Sequence, residues 1–187
     1  MKGYIYTMFA GADPGLGWRM TDPIFGKVPT LGACVPNIRR VVLPGDYIFC
    51  ISGRASGVQQ YVVGGFQVAE KISALAAYGR FPELRQQSQG DGSLSGNIIV
   101  TPDGKQSSVD YHRNFEKRIE NYVVGKAPRV IDGEKQVARA RQETLPLLSD
   151  LFSKKGEKVS EVIGRWRKLD ERQIEKLVGW IDNVRVR

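Results

Sequence analysis

The sequence is poor in the residues that build metal sites and disulfide frameworks. Its 187 residues include two cysteines, Cys34 and Cys50, and a single histidine, His112. The cysteines form no Cys-x-x-Cys pair, and one histidine cannot supply the clustered nitrogen and sulfur ligands of a zinc site. We therefore expect no metal site and two reduced thiols in a reducing compartment.

Long apolar runs and nucleotide-hydrolysis motifs are also missing. No segment approaches the roughly 20 apolar residues of a membrane span. The opening run, MKGYIYTMFAGA, contains tyrosines and a threonine and is short for a signal core, so it predicts a first strand. These features favour a soluble, cytoplasmic protein. Neither a Gly-x-Ser-x-Gly elbow nor a Gly-x-x-x-x-Gly-Lys-Ser/Thr loop occurs, and we expect no cofactor.

Positive charge is what the chain has in excess. It carries 28 Lys and Arg residues against 20 Asp and Glu residues, which gives a formal net charge of +8 at pH 7. Such a charge favours polyanionic partners, of which nucleic acid is the general case. A basic surface also serves solubility, so the charge alone identifies no site.

The chain changes character near Gly133. Residues 1–133 are rich in glycine and broken into short β-favouring runs separated by turns, which is typical of a compact antiparallel sheet or small barrel. Residues 134–187 have helical spacing and predict three short amphipathic helices, with Pro146 kinking the first and Trp166 in the second. Their apolar stripes must pack on the β-rich part, on a second copy of the chain or on another protein.

Arginines, small polar residues and aromatic residues suited to nucleotide recognition occur in the β-rich part. Arginine forks match phosphate oxygens, aromatic rings stack on bases, and small residues let a base edge approach the backbone. The alternative is that the aromatic residues belong to the core and the arginines to a solvated edge. The predicted nucleotide-binding residues are Trp18, Phe25, Asn37, Arg39, Arg40, Ser52, Gly53, Arg54, His112 and Arg113.

A second interpretation is catalytic. Asp110 and His112 lie two residues apart, so on a strand their side chains would face the same way and form an acid–base pair. Cys34 is the candidate nucleophile. The sequence thus leaves open an enzyme that modifies or cleaves a nucleotide.

Several motifs resemble the nucleotide-modification-associated domains of phages and bacteria. They are YIYTM, DPIFGKVPTLGACVPNIRR, LPGDYIFCISG and QQYVVGGFQVAEKI, followed by GNIIVTPDG with VDYH and by ENYVVGKAPRVI. The resemblance covers about the first 130 residues. The same pattern is also similar to the wider PUA-like group, which includes EVE and ASCH domains. It implies an α/β (α+β) fold in which helices flank a small antiparallel β-barrel, with a concave face that accepts a nucleobase, often a modified one.

The chain also departs from the family pattern. Cys34-Val35-Pro36 stands where the family has a second cysteine and a lysine, and Arg54 stands where it has small residues. The combined prediction is a domain that binds nucleic acid or a nucleotide, and that recognises a modified base in a phage or in a DNA-modification or defence setting. In the regulatory alternative, residues 134–187 bind a protein partner.

Overall fold

The computed structural model describes residues 1–186, which form an α+β structure. The elements in chain order are β1 (Gly3–Thr7), β2 (Thr30–Leu31), α1 (Pro36–Val41), β3 (Tyr47–Ile51), β4 (Val62–Ile72), α2 (Ala74–Arg80), β5 (Gln87–Ser88), β6 (Leu94–Ser95), α3 (Glu116–Ile119), β7 (Tyr122–Val130), α4 (Glu134–Leu151), α5 (Val159–Ile163), β8 (Trp166–Leu169) and α6 (Glu171–Val186). Across these residues, no helix combines the length and the apolar character needed to span a membrane.

Six strands form one sheet in the order β2-β7-β4-β3-β1-β8, and β5 pairs with β6 in a separate sheet. The predicted α+β class is confirmed, but the six-stranded sheet is not closed into a barrel. The prediction of a wholly antiparallel sheet is wrong, because β1 and β3 pair in parallel, with Gly3 opposite Tyr47 and Thr7 opposite Ile51. Parallel neighbours require a long crossover connection, and residues 8–46 supply it.

The chain forms two compact units, each built from segments distant in sequence. The first unit contains Met1–Arg19, Gly45–Phe66 and the described residues from Arg129 onward, and the second contains Met20–Pro44 and Gln67–Pro128. Strands β4 and β7 each contribute residues to both units. This division differs from the one predicted at Gly133, because the C-terminal elements belong with β1 and β3.

The first unit combines strands β8, β1 and β3 with the C-terminal helices. A Cβ atom at Gly3 would lie 2.7 Å from Cγ1 of Ile174, so α6 packs directly against β1. Helix α4 contacts both α5 and α6. The apolar stripes of α4 and α6 are buried within the chain; their buried residues are Val137, Ala140, Leu148, Leu151, Ile174, Leu177, Ile181 and Val184.

The C-terminal part differs from the three helices predicted for it. Helix α5 ends at Ile163, and Trp166 begins β8, which pairs antiparallel with β1. The prediction that Trp166 is helical is therefore wrong, because pairing with β1 outweighs the local helical spacing. Pro146 lies inside α4, which continues through it to Leu151.

The second unit has its own apolar core. Strand β2 pairs antiparallel with β7, with Thr30 opposite Val124. The core residues come from α2, the 98–100 segment and β7; they are Ala74, Ala77, Ile98, Val100, Tyr122 and Val124. This core supports the segments that carry most of the predicted site.

Candidate functional site

The ten predicted nucleotide-binding residues are divided between the two units. The first unit contains Trp18, Ser52, Gly53 and Arg54. The second contains Phe25, Asn37, Arg39, Arg40, His112 and Arg113. Each unit therefore offers its own set of candidate ligand groups.

Within the first unit, the Phe9–Trp18 loop lies against the segment Ser52–Arg54 that follows β3. The backbone N–H of Gly53 donates to the carbonyl oxygen of Ala12 at 2.7 Å. A Cβ atom at Gly53 would lie only 1.8 Å from the carbonyl oxygen of Phe9, so no larger residue fits this approach. The loop that ends at Trp18 and the segment Ser52–Arg54 are thus neighbours, although they lie far apart in the sequence.

Phe9, Trp18 and Arg54 form what we call the aromatic–arginine surface. The rings of Phe9 and Trp18 meet edge to face, with centroids 5.4 Å apart and an interplanar angle of 89°. Phe9 is 61% exposed, Trp18 is half-buried and Arg54 is exposed. The N–H of Gly11 donates to the carbonyl oxygen of Arg54 at 2.9 Å, which holds Arg54 next to the loop.

Phe9 was not among the predicted binding residues, because its exposure depends on where the loop after β1 folds back. Its position is the one signal in the sequence: Phe9 follows β1 directly and precedes a glycine-rich loop. In the structure its ring supplies most of the exposed aromatic area of this surface.

Ser52 and Gly53 are closed to ligands. Ser52 is 0% exposed, its hydroxyl oxygen accepts the N–H of Tyr61 at 3.0 Å, and its carbonyl oxygen accepts the side-chain amide of Gln60 at 2.7 Å. Gly53 is buried against the Phe9–Trp18 loop. Of the predicted Ser52-Gly53-Arg54 cluster, only Arg54 has a side chain available to solvent.

An ion pair between buried Asp13 and half-buried Arg141 anchors the Phe9–Trp18 loop. The guanidinium of Arg141, on α4, donates two parallel hydrogen bonds to the carboxylate of Asp13, at 2.8 and 2.9 Å, and Asp13 is only 1% exposed. The same guanidinium lies 4.8 Å from the ring centroid of Tyr61. The backbone carbonyl of Asp13 accepts the N–H groups of Leu16 and Trp18. Burial, with the nearby charge of Asp13, raises the pKa of Tyr61.

Arg39, in the second unit, does not lie on a solvated edge. Its side chain is 0% exposed. The guanidinium donates to four backbone carbonyl oxygens, those of Ala33, Cys34, Arg118 and Asn121. The expectation that Arg39 attracts phosphate from the surface is therefore corrected, because its hydrogen-bonding groups face the protein backbone.

The other predicted residues of the second unit are more open. Asn37 and Arg40 are exposed on α1, and Arg113 is exposed before α3. Phe25 is half-buried near the end of a short hairpin, in which Ile24 bridges to Thr30. These four residues keep the accessibility that ligand binding requires.

A buried polar network fixes the segment Gly32–Cys34, directly before α1. The carboxylate of Asp22 accepts the three consecutive backbone N–H groups of this segment. It also accepts the side-chain amide of Asn97 at 2.9 Å, and the hydroxyl of Tyr122 donates to the Asn97 carbonyl oxygen at 2.7 Å. Because each of these buried polar groups has a partner, the network rigidifies the segment.

Cys34 does not have the character of a nucleophile. Burial raises the pKa of its thiol well above the ordinary range, and the charge of Asp22 adds to the increase. The reactive form of cysteine is the thiolate, so at neutral pH this thiol stays protonated and unreactive. The catalytic interpretation therefore loses its proposed nucleophile.

Asp110 and His112 do form a pair, although neither lies on a strand. Nδ1 of His112 is 2.6 Å from Oδ1 of Asp110, whose side chain is 0% exposed, while the His112 side chain is 31% exposed. Burial acts to raise the pKa of Asp110, but hydrogen bonds from His112 and Gln106 outweigh it, and the pKa lies below its ordinary value. The carboxylate is thus ionised at neutral pH.

Among residues 1–186, no three His, Cys, Asp or Glu side chains are grouped closely enough to hold a metal ion. No family model matches the chain, and no curated protein sequence matches it. The resemblance to nucleotide-modification-associated domains therefore stays a prediction.

Proposed function

We propose that the protein binds nucleic acid or a nucleotide through the aromatic–arginine surface. The observation that carries this proposal is an exposed aromatic ring, Phe9, packed edge to face on Trp18 beside an exposed arginine. An exposed aromatic ring next to a cation offers the two kinds of group, for base stacking and for phosphate binding, that a nucleotide requires.

The three side chains match the two parts of a nucleotide. A base that stacks on an aromatic ring gains roughly 1–3 kcal/mol whatever its identity. Arg54 offers a planar fork of N–H donors that matches phosphate oxygens. The net charge of +8 adds a general attraction for polyanions, which raises the rate of encounter.

The surface is prepared before the ligand arrives. The ion pair between Asp13 and Arg141 and the backbone contacts of Gly53 fix the loop that carries Phe9 and Trp18. Fixing a loop in its bound conformation lowers the entropy cost of association, so a small surface can still give useful affinity.

The finer parts of the proposal rest on the sequence resemblance. They are recognition of a modified base, a PUA-like relationship, a cytoplasmic location and a role in a phage or in DNA modification or defence. Arg40, Arg113, Asn37 and Phe25 remain candidates for further contacts, since all four retain accessible surface. The regulatory alternative, with a protein partner on residues 134–187, has less support, because the stripes of α4 and α6 are already buried within the chain.

The test is a binding titration against plain and cytosine-modified oligonucleotides, single- and double-stranded, at two salt concentrations. Phe9→Ala should weaken binding about tenfold, because one stacking contact is lost. Arg54→Ala should weaken binding and reduce the slope of log affinity against log salt by about 1. Salt-resistant preference for one modified base would support the finer proposal.

Arg172→Ala is the matched control. Arg172 is also an exposed arginine of the first unit, on α6, so the variant removes the same charge elsewhere. If Arg54→Ala and Arg172→Ala lower affinity equally, binding reflects net charge and the proposed surface is wrong. Phe9→Leu separates stacking from apolar bulk, since it keeps an apolar side chain without a ring.

A further inference from the structure

The Asp110–His112 pair is held by a third side chain. Nε2 of Gln106 donates to Oδ2 of Asp110 at 2.7 Å and to the carbonyl oxygen of His112 at 2.9 Å. One oxygen of the carboxylate thus faces Gln106, and the other faces the imidazole. The pair is fixed although residues 110–113 lie outside any helix or strand.

This arrangement sets the tautomer of the imidazole. An ionised carboxylate can only accept hydrogen bonds, so the proton between Asp110 and His112 belongs to Nδ1. In the neutral ring the lone pair is then on Nε2. Among residues 1–186, no group is hydrogen-bonded to Nε2, and the His112 side chain is partly exposed. The chain therefore presents an oriented base to solvent.

The residues next to His112 suit a phosphate-bearing polymer. Tyr111 is 84% exposed. No other large apolar or aromatic residue among residues 1–115 is as exposed. Arg113 and Lys117 are exposed cations. An aromatic ring, a base and cations therefore lie within one short stretch of chain in the second unit.

We propose that His112 is the general base of a ribonuclease site and that the substrate class is single-stranded RNA. RNA has its own nucleophile, the 2′-hydroxyl, beside every phosphate, so a single oriented base can start the reaction. This inference goes beyond ligand binding and stands on the second unit alone. Asp110 and Gln106 act through His112 as positioning residues.

The reaction is an internal transesterification. Nε2 takes the 2′-hydroxyl proton, and the 2′-oxygen forms a bond to the adjacent phosphorus while the bond from phosphorus to the 5′-oxygen breaks. The leaving 5′-oxygen takes a proton from water, and the imidazolium returns its proton to solvent. The products are a 2′,3′-cyclic phosphate and a 5′-hydroxyl end, with no oxidant or reductant required.

The first experiment incubates the full chain with an unstructured RNA oligonucleotide in the presence of a chelator and identifies the product ends by mass spectrometry. We expect cleavage to a cyclic phosphate and a 5′-hydroxyl. DNA of the same sequence and fully 2′-O-methylated RNA should stay intact, because neither has a free 2′-hydroxyl. Intact RNA, cleaved DNA or loss of cleavage with the chelator would each overturn the proposal.

His112→Asn is the decisive variant. The asparagine amide can take the place of Nδ1 as donor to Asp110 but has nothing in place of Nε2, so the local structure keeps its hydrogen bond and loses the base. Purified in parallel, it should cleave at least about 100-fold more slowly. Equal cleavage by the variant would assign the activity to a contaminating nuclease and overturn the proposal.

Asp110→Asn tests positioning by a spectroscopic signature. Because Gln106 donates to the Oδ2 position, the asparagine oxygen should take that place and its NH₂ group should face Nδ1. The imidazole should then carry its proton on Nε2, and cleavage should fall about 100-fold or more. The chain has a single histidine, so ¹⁵N NMR reads its tautomer without assignment; an unchanged tautomer with full cleavage would overturn the role of Asp110.

The outcome is separable from that of the proposed function. Phe9→Ala and Arg54→Ala change the first unit, whereas His112→Asn changes the second. If Phe9→Ala and Arg54→Ala weaken binding but the wild type leaves RNA intact, the binding proposal is supported and the ribonuclease proposal is wrong. If the wild type cleaves RNA but Phe9→Ala and Arg54→Ala leave its affinity unchanged, the ribonuclease proposal is supported and the binding proposal is wrong.

Discussion

Two loops, one in each unit, are held by a buried aspartate and an arginine, but the charges act differently. In the first unit Asp13 and Arg141 bind each other through two hydrogen bonds. In the second unit Asp22 accepts the N–H groups of Gly32–Cys34, and Arg39 donates to two carbonyl oxygens of the same segment. Asp13 and Arg141 neutralise each other's charge directly. Asp22 and Arg39 instead provide hydrogen-bond partners for the N–H groups and the carbonyl oxygens of one backbone segment.

This difference predicts how the stability of each loop responds when one of these side chains, or both, is removed. Removing one member of a direct ion pair leaves a single buried charge, and removing the second member can relieve it. Removing a side chain that satisfies several backbone groups leaves most of those groups buried without a partner, and a second removal relieves none of them. The second unit should therefore be the more sensitive and the less forgiving of the two.

The largest expected effect is that of Arg39→Ala. The variant leaves four carbonyl oxygens without this donor and opens a cavity, so we expect the free energy of unfolding to fall by at least about 4 kcal/mol. Arg40→Ala is the control, because Arg40 is its exposed neighbour and should change stability by less than about 0.5 kcal/mol. Denaturant unfolding measures both. Similar values for the two variants would show that burial of Arg39 is unimportant.

Arg141→Met should destabilise the first unit by roughly 3 kcal/mol, because the Asp13 charge stays buried without its partner. The double variant Asp13→Asn/Arg141→Met should lose less than the single variant. For Asp22→Asn and Arg39→Ala, in contrast, the double variant should show no relief, because neither change supplies a partner to the backbone groups that the other leaves unpaired. If the double variant is more stable than expected from the single variants in both units, or in neither unit, the distinction between the two units is wrong.

Gly53→Ala should destabilise the protein by roughly 2 kcal/mol, because its new methyl group meets backbone atoms of Phe9 and Ala12. Gly179→Ala is the opposite case within the same unit. Gly179 lies in α6 with no atom near its Cβ position, so alanine should stabilise by up to about 1 kcal/mol. Thermal unfolding compares them, and a stabilising Gly53→Ala would contradict the close approach of the two segments.

The smallest effect concerns the cysteines. Burial raises the pKa of Cys34, and Cys50 is buried, so neither should be alkylated at pH 7.5 until denaturant is added. The raised pKa of Cys34 also makes the stability of the folded protein depend on pH. The contribution of Cys34 is present below the ordinary thiol pKa of 9.0 and falls as the pH rises above it, because the unfolded chain then loses a proton that the folded chain keeps. Mass spectrometry follows the alkylation; because Cys34 is half-buried, rapid modification of it in the folded protein would contradict its raised pKa.

Much of the local structure could be predicted. The runs YIYTMF, YIFCI, QQYVVGGFQVAE and NYVV overlap strands β1, β3, β4 and β7, since alternating or continuous apolar residues between turns identify strands well. Residues 97–101, NIIVT, have the same apolar character but make only isolated bridges. Their apolar character reflects burial in the second unit rather than membership of a ladder.

The candidate site was predicted only in part. The pairing of Asp110 with His112 was expected, but on a strand, and the structure forms the pair where neither residue lies on one. The doubled arginine at 39 and 40 gave no sign that one side chain is buried and the other exposed, because both residues occupy the same short helix. Phe9 was missed since its exposure depends on where the loop after β1 folds back.

The sequence by itself determined the α+β class, the positions of most strands, helical segments after Gly133 and from Asp170, and the basic charge, because these depend on local spacing and composition. Tertiary structure alone decided the parallel pairing of β1 with β3, the strand at Trp166, the burial of Arg39 and the contact between the Phe9–Trp18 loop and Gly53. Each of these depends on groups far apart in the chain, and no local pattern encodes which distant backbone a side chain will meet.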